Sequence, residues 1–133
     1  MSAQLWAAAA DPTRIVLAAS WVCLMLIYLL GDVIRIYAGH FTPGRIGDDV
    51  VGEWAWVVAS VIMLVPIAMI VVSFTVPSGP LVWITVIAAA GLVVFNLLGL
   101  PYTGAFDNML IVVGLLANGF TIWVALTGFR TTG

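Results

Sequence analysis

The fold of this chain is decided at the end of its first long apolar run, where residues 28–41 read YLLGDVIRIYAGHF. An acid, Asp32, and a base, Arg35, lie here within an otherwise apolar stretch that also holds two tyrosines and the single histidine. The later apolar segments of the chain carry no charged residue. The stretch therefore predicts both where a first apolar helix ends and where a polar site lies.

The composition predicts an integral membrane protein. The chain has 133 residues, of which 64% are hydrophobic and 8% charged, and its mean hydropathy is +1.23. A soluble domain carries about 25% charged residues, so this chain has too few charges to cover a surface in water. Residues 1–10 contain no basic residue that could form the start of a signal peptide, and the first apolar run is too long for one. We therefore expect the run to be retained as a membrane span.

Four apolar segments are long enough to cross a membrane, which takes about 20 helical residues. They cover about residues 15–38, 54–76, 81–100 and 109–129. The sequence thus predicts an all-α protein, with residues 1–133 forming a single transmembrane domain. Its architecture is expected to be an integral membrane four-helix bundle with both termini on the same side.

Local signals refine these boundaries. Asp11, followed by a proline, is typical of a helix N-cap. Asp107 and Asn108 are predicted to cap the start of the fourth span, since an acid is favoured at a helix N-terminus. Pro66 predicts a kink in the second span. The glycines and prolines of residues 39–53 predict a loop without a regular element.

The arginines give a weak indication of orientation. Arg14 and Arg130 lie near span ends on the side of the termini, whereas Arg35 and Arg45 belong to the other side. Arginines near span ends favour the cytoplasmic side, and here their numbers are equal. Because the side opposite the termini is also the more acidic one, we expect the termini to be cytoplasmic.

Two interpretations of the charged pair remain open. Asp32 and Arg35 are i,i+3 neighbours and share a helix face with Tyr28. A carboxylate within a membrane span is expected to be paired or neutralised. In the first interpretation Asp32 faces a water-filled cavity and binds a cation, a proton or a polar substrate group, with Arg35 tuning its charge. In the second, the pair and Tyr28 or Tyr37 lock the first helix to its neighbours.

Other polar residues extend this candidate site. Asn96 and Asn118 lie in apolar spans, where asparagines usually hydrogen-bond to another helix, and they could also line a pocket with Asp32. His40 follows the first span and is either a solvated loop residue or a proton relay or pH sensor. The candidate ligand-binding residues are Tyr28, Asp32, Arg35, Tyr37, His40, Asn96 and Asn118.

Several classes of function are not indicated. One cysteine and one histidine provide neither a disulfide nor a ligand set for a soft metal, and they form no nucleophile–base pair. There is no glycine-rich phosphate loop. The net charge of −2 gives no basic footprint for nucleic acid. We expect no enzymatic activity, no metal, no cofactor and no nucleic-acid partner.

Three short motifs resemble a family of small bacterial four-span membrane proteins with a domain of unknown function. They are Asp32 followed by Tyr37 and Pro43-Gly44, the segment 63–69 followed by Ser73, and Ile122-Trp123-Val124-Ala125. The resemblance implies the four-span architecture and a bacterial inner-membrane location. Family members often carry glutamates where this chain has Leu64 and Asn118. The chain is more weakly similar to DoxX-like proteins.

The best functional hypothesis is binding or transport of a small molecule or ion at the polar site near the outer end of the first span. The alternatives are an oligomeric channel and an accessory or structural subunit of a larger membrane complex. Expected partners are the lipid bilayer and a small-molecule or lipid ligand. A homo-oligomer is favoured by the small-residue faces at Ala88 to Gly91 and at Gly114 with Gly119, which allow helices to approach closely.

Overall fold

The computed structural model describes residues 2–100 and 102–130. Its elements are α1 (Ser2–Ala9), α2 (Pro12–Tyr37), β1 (Arg45–Ile46), β2 (Asp49–Val50), α3 (Glu53–Thr75), α4 (Ser78–Leu98) and α5 (Ala105–Gly128). The helices α2, α3, α4 and α5 are long and apolar enough to cross a membrane. The predicted all-α class and membrane helix bundle are confirmed.

The helix starts confirm one predicted cap and correct another. The Asp11 carboxylate accepts a hydrogen bond from the Thr13 N–H at 2.9 Å and caps α2 as predicted. The predicted cap of α5 at Asp107 and Asn108 is wrong, because α5 begins earlier, with Gly104 as its N-cap. Asp107 lies instead in the first turn of α5, where the helix dipole favours an acid.

Two short elements lie outside the predicted spans. The alanine-rich segment before the first span forms α1, as expected for strong helix formers. The prediction that residues 39–53 contain no regular element is wrong for residues 45–50. Arg45 pairs with Val50 in a two-stranded antiparallel hairpin, and Gly47 makes its turn possible with a φ of 62°.

The bundle is built around the α2–α5 pair. α2 packs against α3 and α5, and α4 packs against α5, whereas α3 and α4 touch only slightly. Close packing of α2 on α5 places Thr13 against Gly128 and Tyr28 against Gly114. The two helices are therefore antiparallel, which brings both termini to one end of the bundle, as predicted.

We call this end the termini end; it contains α1, the α3–α4 turn and residues 129–130. The opposite end contains residues 38–52, 99–100 and 102–104 and is called the hairpin end. Two apolar clusters fill the core between them. One contains Trp21, Leu24, Met69, Ala89 and Leu92, and the other contains Leu17, Leu81, Val124 and Ala125.

The outward surfaces of the long helices are apolar, as a lipid environment requires. α3 is the least buried of the four and runs as one continuous helix through Pro66, whose side chain faces the core. Polar side chains are consequently concentrated inside the bundle and at its two ends.

Candidate functional site

Arg35 joins α2 to α5 through an ion pair with Asp107. Arg35 Nη2 and Nε lie 2.9 and 3.2 Å from Asp107 Oδ1, and Nε lies 3.3 Å from Oδ2. The Asp107 side chain is only 3% exposed. A multidentate contact between a guanidinium and a buried carboxylate is a strong, geometrically specific pair. The charge of Arg35 is therefore neutralised by a residue that the sequence analysis interpreted only as a helix cap.

The predicted Asp32–Arg35 pair is also present. Arg35 Nη1 donates to Asp32 Oδ1 at 3.1 Å, but the Asp32 side chain is 50% exposed. Asp107 already balances the guanidinium, so Asp32 adds a surplus negative charge. We call Asp32, Arg35 and Asp107 the ion-pair layer. Within it, Asp107 locks the helices together, and Asp32 is not needed for that role.

Tyr102 covers the Arg35 guanidinium. The guanidinium carbon lies 4.7 Å from the centre of the Tyr102 ring, within the range of a cation–π contact. The Asn108 side chain fixes the Tyr102 backbone by accepting from its N–H and donating to its carbonyl, both at 3.1 Å. Gly99 leaves room for the ring, because a Cβ there would clash with Tyr102 Oη. The loop between α4 and α5 thus places an aromatic face on the ion pair.

A second polar layer, Tyr28, Asn96 and Asn118, lies one helical turn deeper along α2 and is called the amide–phenol layer. The Tyr28 oxygen accepts from Asn96 Nδ2 at 2.9 Å and from Asn118 Nδ2 at 3.1 Å. A Cβ at Gly114 would lie 3.6 Å from the Tyr28 ring, so the ring packs directly on α5. These bonds join α2, α4 and α5 and confirm that both asparagines bond to another helix.

Two predicted site residues lie apart from these layers. Tyr37 ends α2 with 88% of its surface exposed. His40 is exposed in the following loop, where its ring lies 5.5 Å from that of Phe106, centre to centre, and close to Gly104. The structure thus brings together Tyr28, Asp32, Arg35, Asn96 and Asn118 in two adjacent layers, and leaves Tyr37 and His40 beside them.

Two residues of the site were not predicted from the sequence. They are Asp107, in the ion-pair layer, and Tyr102, which covers the Arg35 guanidinium. Antiparallel spans place the end of the first span and the start of the fourth at one end of the bundle. This rule would have brought Asp107 near Arg35. For Tyr102 no such signal exists, because aromatic residues are common at every membrane interface.

Two apolar grooves on the described part of the chain lie elsewhere. One runs between α2 and α5 beside Cys23 and Phe120, and the other runs between α3 and α4 beside Gly91 and Phe95. Neither groove includes a residue of the two polar layers. In residues 2–100 and 102–130 there is also no cluster of three or more histidine, cysteine or acidic side chains that could hold a metal.

No family model matches the chain, and no curated protein or solved structure is similar to it. The resemblance of its short motifs to small bacterial four-span proteins therefore stays a prediction.

Proposed function

We propose that this chain is a membrane-embedded binding protein that takes a cationic ligand at the hairpin end, with Asp32 as the ligand's contact. The ligand class is an inorganic cation or the cationic group of a small molecule or lipid. The observation that supports the proposal is the surplus charge of Asp32. Asp107 already neutralises Arg35 from a buried position, while Asp32 stays half exposed.

The ion-pair layer suits this role because its frame is rigid. Asp107 and Tyr102 hold the Arg35 guanidinium from two sides, and Arg35 in turn holds Asp32 Oδ1. Only one Asp32 oxygen is used in that bond, which leaves the other oxygen for a ligand. A carboxylate kept within an apolar helix carries an energetic cost, so a functional role is the default interpretation.

Binding is supported better than transport in this conformation. Below the amide–phenol layer the core is filled by buried side chains, among them Trp21, Leu24 and Met69. A transported ion would need these helices to separate. A second candidate function is that of an accessory subunit, and the observation that favours it is the outlying position of α3, the least buried long helix.

The proposal includes an orientation in a bacterial inner membrane, with the hairpin end outside. It is supported by the acids of the hairpin end, including Asp48 and Asp49, whereas the arginines near span ends are equal in number at the two ends. Single cysteines introduced by Asp48→Cys and Ser2→Cys in a Cys23→Ser background test it, since both positions are exposed. In intact cells a membrane-impermeant maleimide is expected to label the first and spare the second.

Ligand titration of the protein in lipid nanodiscs tests the binding site. We expect the ¹⁵N guanidinium signals of Arg35, which donates to Asp32, to shift saturably with sodium, potassium or ethanolammonium chloride. Asp32→Asn should weaken binding about tenfold or more, because a charge-assisted hydrogen bond contributes about 1.5–3 kcal/mol. Asp48→Asn, in the exposed hairpin, is the matched control and should leave the affinity unchanged. The proposal fails if none of the three cations saturates the signal, or if both variants bind equally well.

A further inference from the structure

The amide–phenol layer contains an unpartnered acceptor in the middle of the bundle. Asn118 is fully buried, and no donor reaches its Oδ1 among the residues that the structure describes. A buried amide oxygen without a hydrogen bond costs several kcal/mol in an apolar environment, and lipid offers no donor to relieve it. We therefore expect Asn118 Oδ1 to have a hydrogen-bond donor inside the bundle.

The orientation of the Asn118 amide is fixed by its neighbours. Its Nδ2 donates to the Gly114 carbonyl at 3.1 Å, and that carbonyl can only accept. Exchanging the nitrogen and the oxygen would bring two acceptors into contact. The atom of the Asn118 amide without a hydrogen bond is consequently the oxygen, which requires a donor.

A donor is available in the same layer but does not reach this oxygen directly. Both bonds of Tyr28 use its oxygen as the acceptor, from Asn96 and from Asn118. The phenolic proton is left to donate to a third group. The amide–phenol layer thus holds a spare donor and a spare acceptor on side chains that are already in contact.

We propose that the amide–phenol layer binds an internal water molecule, which accepts from the Tyr28 hydroxyl and donates to Asn118 Oδ1. Water is the ligand that fits, because it donates and accepts at once and is small enough for a layer of two buried asparagines and a partly buried tyrosine. Two further buried polar atoms, Trp21 Nε1 and Thr85 Oγ1, also lack partners in the described part of the chain. They lie about two or more helical turns from this layer along α2 and α4, so they are not part of the proposed site.

This inference does not depend on the ligand of Asp32. Tyr28 and Asp32 are separated by one turn on the same face of α2. An internal water would therefore hydrate the junction of α2, α4 and α5 directly below the ion-pair layer. The core would be polar and wet at this depth although the surrounding surface is apolar.

Water-edited solid-state NMR of the ¹⁵N-labelled protein in lipid bilayers tests the inference. We expect the Asn118 side-chain amide to receive water magnetisation as fast as the backbone amide of Asp48 in the exposed hairpin. The backbone amide of Leu24, in the apolar core, should receive it much more slowly. An Asn118 signal that builds up as slowly as that of Leu24 overturns the proposal.

A pair of tyrosine variants tests the bridging geometry. Tyr28→Phe removes the donor to the water, so the fast transfer to Asn118 should be lost. Tyr37→Phe removes an exposed hydroxyl from the same helix and should leave the transfer unchanged. Unchanged transfer in Tyr28→Phe overturns the bridge. If Tyr28→Phe does not fold, the comparison of Asn118 with Leu24 in the unaltered protein decides the question.

Discussion

Arg14 and Arg35 lie near opposite ends of α2, and each reaches across to a neighbouring helix. Arg14 Nη1 donates to the carbonyls of Ser73 and Val76 at the C-terminal end of α3, both at 2.8 Å. Arg35 reaches the carboxylate of Asp107 on α5. Each arginine also lies near an acid three residues away on its own chain segment and near an aromatic ring.

The two arginines differ in the charge of their partners on the neighbouring helices. Carbonyls at a helix C-terminus carry only partial charge, and near a membrane interface water can replace the arginine. A buried carboxylate carries a full charge and has no such substitute. At the termini end, Arg14 therefore caps the C-terminus of α3. At the hairpin end, Arg35 belongs to an ionic site that has one acid more than its structural role requires.

The largest expected effect comes from Arg35→Leu. This change leaves Asp107 buried without a counter-charge, which should lower the free energy of unfolding by about 3–5 kcal/mol. Detergent titration of the reconstituted protein, followed by circular dichroism, measures it. The double variant Arg35→Leu with Asp107→Leu removes both charges and should recover most of the loss. A double variant as unstable as Arg35→Leu alone would contradict this account.

A smaller loss is expected for Arg14→Leu. Two charge-assisted hydrogen bonds disappear, but the freed carbonyls of α3 lie at the membrane interface and can be hydrated. We expect a loss of about 1.5–3 kcal/mol in the same titration. If Arg14→Leu destabilises the bundle more than Arg35→Leu does, the distinction between a cap and an ionic site is wrong.

Much of this architecture could be predicted from the sequence, because lipid dictates it. Apolar runs of sufficient length set the four spans, and the Asp11 cap follows from residue type alone. The asparagines could also be assigned to interhelical bonds, since an apolar span offers them few other partners. Which helix they would join was not predictable, and both reach Tyr28 on α2.

The buried partner of Arg35 could not be identified from local spacing in the sequence. Spacing indicates Asp32, three residues away, whereas the buried pair is made with Asp107, 72 residues away. That choice depends on how α2 and α5 pack, which local spacing does not encode. The hairpin was missed for another reason, since strands of two residues are too short to show an alternating pattern.

Two contacts between α2 and α5 differ in the room that they leave for an added side chain. A Cβ at Gly128 would lie 2.5 Å from Thr13 Cγ2, whereas one at Gly114 would lie 3.6 Å from the Tyr28 ring. Gly128→Ala should therefore destabilise the bundle by about 1–3 kcal/mol through overpacking. Gly114→Ala is the matched control and should be neutral or stabilising by up to about 1 kcal/mol, because alanine favours the helix. The reverse order in thermal unfolding would show that Gly114 has less room for a methyl group than Gly128.

The smallest effect on stability is expected for Asp32→Asn, and this small effect separates the two acids of the ion-pair layer. Asp32 is half exposed and shares Arg35 with Asp107, so losing its charge should change the free energy of unfolding by only about 0–1 kcal/mol. Asp107→Asn, which keeps the shape but removes the buried charge, should cost clearly more in the same detergent titration. If the two variants are equally unstable, both acids are structural and Asp32 carries no surplus charge for a ligand. A stable Asp32→Asn variant that has lost cation binding would show that Asp107 joins α2 to α5 and that Asp32 binds the ligand.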